Sequence, residues 1–331
     1  MTESVRKPFK ILGCGVSLPE RVLTNHELEK MVSTSDEWIV GRTGIRERRI
    51  VAPDVSTSDL CAEALREACE KAAVAVSDLD AIIVATSTPD TVFPSTACWV
   101  QRKLGIRGPA AFDISAGCTG WMYALELGAS LVNSGVARRV GVCGAEVMSK
   151  IIDWTDRGTC VLFGDGAGAV VIGESDGASG ILASNWGADG NLAPILYQPA
   201  GGTQKPATAA TVAAREHAVH MDGGAVFRHA VRAMSHAALK ALGDAELDTN
   251  QVDLLIPHQA NIRIMEATRQ RCEIPREKLY SIVHRYGNVS AASIPIALHH
   301  ALEEGRLQQG SVVVLAAFGT GLTWAGAVLR L

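Results

Sequence analysis

The sequence has no CxxC pair and no cysteine/histidine cluster with metal-ligand spacing. Its eight cysteines, Cys14, Cys61, Cys69, Cys98, Cys118, Cys143, Cys160 and Cys272, are scattered, several inside apolar runs. That excludes a zinc site and a disulfide framework and fits a reducing compartment. No uninterrupted apolar run approaches bilayer length, so no membrane span and no stable membrane association are expected. Residues 1–8 hold no apolar h-region, so no signal peptide is read and the expected location is the cytoplasm. An excess of either charge is also lacking. Lys+Arg 31 against Asp+Glu 35 leave a net −4, so the surface as a whole gives no reason to expect a nucleic-acid partner. At 331 residues, 47% hydrophobic and 20% charged, the chain is globular and long enough for one large or two medium domains.

What is present is organised around Ala111 to Trp121. A short apolar run from Pro109 to Ile114 reads as a buried strand. Small residues follow, then Cys118, then a helical pattern from Trp121 to about Leu131. A thiol at such a turn meets unpaired backbone N–H groups and the positive end of a helix dipole, both of which favour thiolate. The plain alternative is a small buried core residue.

Strands are expected over Phe9–Val16, Leu79–Thr86, Arg138–Ala145, Gln251–Pro257, Lys278–Val283, Ser311–Ala317 and Leu322–Leu329. Helices are expected over Ser58–Ala73, Ser95–Leu104 and Gly223–Leu242, and in the stretches ending near Cys272 and Gly305. Asn25 is a candidate cap for a short helix, and Ser35–Val40 is a further helical turn. Gly41 to Arg49 is a dense basic loop, either a solvated surface or a phosphate site. Trp38 stands four residues before Arg42, so an indole and a guanidinium can face one ligand. Phe163 to Ile172 is a Gly-rich turn running into a strand. No helix follows, so it is not a dinucleotide loop, and close backbone packing explains its glycines. Pro199 to Ala214 reads as a loop or flap.

Two stretches share an order of elements. Asp80 and Asp253 begin similar buried strands 173 residues apart, and the turns at Cys118 and Asn288 lie 170 apart. A duplication of βα units predicts two similar halves, 1–175 and 176–331, each with a mixed sheet covered by helices. The turns at Cys118, His258, Asn288 and Phe318 all follow buried strands, and in such sheets these turns converge. Cys, His and Asn admit two readings. In one, histidine is a base oriented by asparagine. In the other, the cysteine carries an acyl group while His and Asn donate hydrogen bonds to an enolate oxygen. Spacing alone does not choose between them.

Several stretches, in order along nearly the whole chain, resemble one family: Thr34 to Arg48, Asp156 to Thr159, Phe163 to Gly168, Pro257 to Arg263, Gly287 to Ser293 and Phe318 to Trp324. The resemblance is to the β-ketoacyl-acyl-carrier-protein synthase III family of the thiolase-like superfamily. It implies an α/β thiolase-like fold, a homodimer, and condensation of an acyl-CoA starter, acetyl-CoA first, with malonyl-acyl-carrier protein. No cofactor is implied, because the CoA thioester is a substrate. Carried over by position, Cys118 matches the acylated nucleophile and His258 and Asn288 the enolate-stabilising pair. The backbone N–H groups of Cys118 and Thr320 match the oxyanion hole. Trp38, Arg42 and Arg157 match CoA-binding residues. Phe93 and Phe318 match residues of the acyl pocket, Phe93 reaching it across the dimer. Gln259, Ala260, Asn261, Ile262 and Arg263 match the carrier-protein segment; independently of the match, Arg228, Arg269 and Arg271 are candidates for the same basic patch on charge alone. Gly224, where the family often has Asn, and Thr320, in a turn that is usually three glycines, depart from the pattern. The rivals are a related condensing enzyme with another donor or acceptor, an acyltransferase that does not condense, and a cysteine hydrolase.

Overall fold

Strand Arg139–Val147 shows how the chain builds its layers. Val140 and Val142 point to one side, Cys143, Ala145 and Val147 to the other, and both sets are buried. A strand apolar on both faces lies inside a sheet covered on both sides. A computed structural model describes residues 7–175 and 177–331 and shows two such sheets.

The first sheet has the order Lys10–Ser17, Asp165–Gly173, Arg139–Val147, Ala81–Ala85, Ala110–Ile114. Its last three strands are parallel and the others antiparallel, with Ala81 opposite both Val140 and Ala110. The second has the order Lys7–Pro8, Gly180–Ala188, Thr323–Arg330, Val312–Gly319, Leu254–Pro257. Leu254 lies opposite Val313 in its one parallel pair. Helices Gly120–Asn133 and Ser293–Glu303 are apolar nearly all round and lie buried between the sheets. Thr57–Lys71 and Thr96–Leu104 cover the outer face of the first sheet, and Gly223–Asp244 and Ile262–Arg271 that of the second. This is the thiolase-like α/β layering expected from the sequence. Among the described residues no helix is long and apolar enough to cross a membrane, and all eight cysteines are free.

Several local expectations are corrected. Thr24, not Asn25, caps the first short helix, in a capping box with Glu27. Asn25 is buried and holds Arg48 instead. The basic stretch is not all loop. Gly44 ends helix Asp36–Thr43, and Glu47–Ile50 pairs with Arg21–Thr24. Arg48 is fully buried, donating to Leu23 O, Asn25 Oδ1 and Val161 O, and burial pushes its guanidinium down to about 10. Strand Asp165–Gly173 absorbs most of the Gly-rich turn. A Cβ at Gly168 would lie 2.7 Å from Ile296 N, so close packing is its reason. Helix Ala209–Ala213 interrupts the expected flap.

Lys278–Val283 is not a strand. It makes one bridge, Leu255 to Leu279, and turns helical at Val283–Tyr286. The Gln259 side chain stands in for the missing neighbour: Nε2 donates to Tyr280 O at 3.3 Å, and Oε1 accepts from Ile282 N at 2.9 Å. An apolar run marks burial, but a side-chain amide can satisfy the backbone as well as a ladder does.

Candidate active site

Cys118 sits in a single helical turn, Gly117–Thr119, immediately before helix Gly120–Asn133. Gly117, at φ 54°, brings the chain so close to residue 320 that a Cβ at 117 would lie 2.6 Å from Thr320 N. A Cβ at Gly319 would lie 2.6 Å from Cys118 N. The end of strand Val312–Gly319 is therefore pressed against the nucleophile turn, and the amides of Cys118 and Thr320 come together. A cavity of about 340 Å³ opens beside the thiol. Ser115, Met148, Ile151, Phe163, Leu196 and Thr320 are among its walls.

Segment Asn288–Ser293 joins the rest. Ser290 Oγ lies 3.5 Å from Cys118 Sγ. Ser293 Oγ lies 2.7 Å from His258 Nδ1. Asn288 Oδ1 accepts from Ser290 N at 2.8 Å, which leaves its Nδ2 as the available donor. One turn thus ties the nucleophile to the histidine and contributes the asparagine. A Cβ at Gly144 would lie 2.5 Å from Ala291 O, so the turn is packed hard against strand Arg139–Val147.

The electrostatics modify the expectation at Cys118. Burial pushes the thiol up to about 12. The Ser290 contact opposes this and the Glu146 charge adds to it. Desolvation thus works against the helix terminus and favours the thiol over the thiolate. Burial alone pushes His258 down to about 3, so its imidazole is neutral at physiological pH. Ser293 Oγ also accepts from Gln259 N, at 3.3 Å. Its hydroxyl hydrogen has no other acceptor among the described residues, so it points to Nδ1 and leaves the proton of His258 on Nε2. His258 is then a neutral hydrogen-bond donor.

Other expected residues divide. Arg42 and Arg157 both stand over the Trp38 ring, at 5.5 and 4.7 Å from its centroid, and Arg157 also donates to Ser33 O. Arg263 is exposed, with its guanidinium 5.4 Å over Phe227. Asn261 caps helix Ile262–Arg271, and the Ile262 side chain abuts Gly44. Gln259 is corrected. It is 1% exposed and fully engaged with the Pro257 to Ile282 backbone, so it cannot touch a docked protein. Arg269 is bound to Glu266 and Ile274 O. Phe318 is also corrected. Its side chain packs in the cluster with helix Gly223–Asp244 and lines a separate cavity of about 660 Å³, not the one beside Cys118. Phe93 is 84% exposed and does not line the cavity of its own chain.

Three residues of the site escaped the sequence reading: Ser290, Ser293 and Glu146. The signals existed. Glu146 is the only acid in an otherwise uncharged stretch from Val140 to Met148, and the serines recur at a three-residue spacing after Asn288.

Known proteins resemble this chain over nearly its full length. The chain matches models described as 3-oxoacyl-[acyl-carrier-protein] synthase III over residues 112–190 and its C-terminal part over 242–331. It is 52% identical to the β-ketoacyl-[acyl-carrier-protein] synthase III of Caldanaerobacter subterraneus subsp. tengcongensis, over 97% of each chain. To the corresponding protein of Roseiflexus castenholzii it is 50% identical, again over 97% of each. The crystal structure of 3-oxoacyl-[acyl-carrier-protein] synthase III from Aquifex aeolicus superposes with a TM-score of 0.91 at 46% identity, covering 98% of this chain and 100% of that one. The chain belongs to the β-ketoacyl-[acyl-carrier-protein] synthase III family.

Proposed function

We propose that this protein transfers an acyl starter from coenzyme A to Cys118 and condenses it with malonyl-acyl-carrier protein. The products are 3-oxoacyl-carrier protein, CO₂ and free CoA. The observation that carries this reading is the Asn288–Ser293 turn, which links a buried thiol to a neutral histidine and an asparagine amide. In the first half-reaction the thiol sulfur attacks the thioester carbonyl. The N–H groups of Cys118 and Thr320 receive the tetrahedral oxyanion. In the second, loss of CO₂ from the malonyl group leaves an enolate. His258 Nε2–H and Asn288 Nδ2–H stabilise its oxygen without giving up a proton, and the carbanion carbon attacks the acyl group. Removing one such donor typically costs about two to three orders of magnitude in rate. Simple acyl transfer or hydrolysis has no use for this pair.

The CoA nucleotide binds at Trp38, with Arg157 and Arg42 supplying a stacking plane and phosphate charge. The exposed Arg263 anchors an acidic carrier protein. The subunit pairs with a second copy. Val92 and Phe93, 89% and 84% exposed, form an apolar loop tip, and edge strand Ala110–Ile114 is free to meet its counterpart. No resident cofactor enters the chemistry, and the cytoplasm is its compartment. Acetyl is the starter we favour.

Intact-protein mass after incubation with acetyl-CoA tests the reading, with Cys118→Ser as control and malonyl-carrier protein added second. One acetyl group gained, absent in the variant and discharged as 3-oxobutanoyl-carrier protein, is expected. Acylation without discharge, or no adduct with any acyl-CoA, refutes it.

A further inference from the structure

Glu146 is a buried carboxyl that the mechanism above leaves unused. It lies in strand Arg139–Val147 and is 0% exposed. Oε1 accepts from Ser290 Oγ at 2.8 Å and from Ser87 N at 3.2 Å. Oε2 accepts from Thr88 Oγ1 at 2.9 Å, Ser87 N at 3.0 Å and Thr86 Oγ1 at 3.3 Å. Among the described residues no lysine, arginine or histidine pairs with it. Burying a carboxyl away from any cation is costly. Burial raises its pKa, with Ser290, Thr88 and the backbone donors pulling the other way. Its one titratable neighbour in this network is Cys118, reached through Ser290.

That network answers a question the acyl-transfer step poses. The resting nucleophile is a thiol, and its proton must leave as sulfur bonds to the acyl carbon. His258 is a poor base here, and its Nδ1 is turned to Ser293. Among the described residues the one side chain that hydrogen-bonds the Cys118 thiol is Ser290, whose own hydroxyl donates to Glu146. We propose that Ser290 and Glu146 form a proton relay behind the nucleophile, holding the Cys118 proton between the two half-reactions.

The relay rests on the reading of Cys118 as the acylated residue, and its protons balance. During acylation the C–S bond to CoA breaks as the bond to Cys118 Sγ forms. The thiol proton passes to Ser290 Oγ, the Ser290 proton passes to the Glu146 carboxylate, and CoA leaves as a thiolate protonated by solvent. During condensation the enolate carbon displaces Cys118 Sγ from the acyl carbon. The departing thiolate then takes back the proton from protonated Glu146 through Ser290. Over the cycle one solvent proton is consumed, as decarboxylation of a malonate requires. Glu146 touches no substrate and acts as a positioning and proton-holding residue.

The test compares alkylation of Cys118 by iodoacetamide at pH 7.5, followed by intact mass, in the wild type, Glu146→Gln and Ser290→Ala. The sign of the effect discriminates. If Glu146 acted only as a nearby negative charge, Glu146→Gln would make the thiol more acidic and alkylation faster. The relay predicts alkylation at least about 10-fold slower in both variants and acetyl transfer from acetyl-CoA about 100-fold slower, within the range of general-base assistance. Alkylation by Glu146→Gln at the wild-type rate or faster overturns the relay. Should that variant fail to fold, the pH profile of Ser290→Ala decides. Its alkylation rate rises about tenfold per pH unit from 6 to 9 if the internal base has been disconnected, and a profile parallel to the wild type overturns the proposal. A wild type that alkylates yet accepts no acyl group from any acyl-CoA would sink the proposed function, while the alkylation comparison still judges the relay.

Discussion

Replacing Ser293 by alanine separates the two half-reactions. Ser293 Oγ gives its hydrogen to His258 Nδ1 at 2.7 Å and accepts from Gln259 N at 3.3 Å. Both side chains are buried, His258 at 3% and Ser293 at 2% exposure, so no water replaces the lost hydroxyl. An unpaired buried acceptor costs about 1–3 kcal/mol. The hydroxyl no longer holds the imidazole proton on Nε2, so the tautomer protonated on Nδ1, which turns a lone pair of Nε2 toward the enolate oxygen, competes with the productive one. A bias of about 1.4 to 2.7 kcal/mol against the productive tautomer corresponds to about a 10- to 100-fold loss of rate. The loss falls on condensation alone. The thiol, Ser290 and the amides of Cys118 and Thr320 do not touch Ser293, so acylation stays within about threefold of wild type. Rapid-quench measurement resolves the steps: acetyl transfer to Cys118 first, then discharge of isolated acetyl-enzyme by malonyl-carrier protein. Equal losses in both steps, or discharge unchanged within twofold, would refute the tautomer argument.

Four further outcomes are expected. Burial holds His258 neutral with a pKa near 3 against an ordinary 6.5, so the unfolded chain binds its proton first, and this contribution to stability erodes as pH falls below 6.5. At pH 5 the loss from this residue is about 2 kcal/mol. His284, His299 and His300, also lowered mainly by burial, add in the same direction. Urea midpoints at pH 7.5 and 5.0, wild type against His258→Gln, isolate the His258 share, and an identical pH dependence in the two would contradict it. Gly319→Ala drives a Cβ to within 2.6 Å of Cys118 N and 3.0 Å of Thr119 N, both backbone, so the oxyanion amides must move. We expect acylation to drop about 100-fold and stability by about 1–3 kcal/mol, read by quench-flow and thermal melting. Trp38→Ala removes the stacking plane and raises KM for acetyl-CoA about 10- to 100-fold, while acylation by acetyl-pantetheine, which lacks the nucleotide, is unchanged. Arg263→Glu raises KM for malonyl-carrier protein about tenfold and leaves acetyl-CoA acylation intact, as steady-state kinetics with each substrate varied would reveal.

The sequence by itself determined the layered architecture and the chemical class. Runs such as Ala81–Ala85 and Val312–Gly319, apolar on both faces, have no stable place outside a doubly covered sheet, and the helices between them carry their own period. The near-constant spacing of the halves was legible because short-range patterns encode local structure, whereas the roles expected of Cys118, His258 and Asn288 came from the resemblance of their motifs to a known family, spacing alone leaving two readings open. Tertiary structure decided everything that depends on what lies opposite. The apolar run Lys278–Val283 is no strand because Gln259, about twenty residues earlier, takes its backbone bonds. The same long-range fact removes Gln259 from any docking surface. Arg48 reads as surface charge until the carbonyls of Leu23 and Val161 close around it. Phe318 lies inside strand Val312–Gly319 rather than in a turn after it, and its side chain falls on the sheet face away from the thiol cavity. The protonation states were hidden most completely. A helix start favours thiolate, but burial outweighs it, and burial is a property of the packed halves rather than of any segment. Only the meeting of Cys118 with a turn about 170 residues away reveals that its hydrogen-bond partner is a serine backed by a carboxyl.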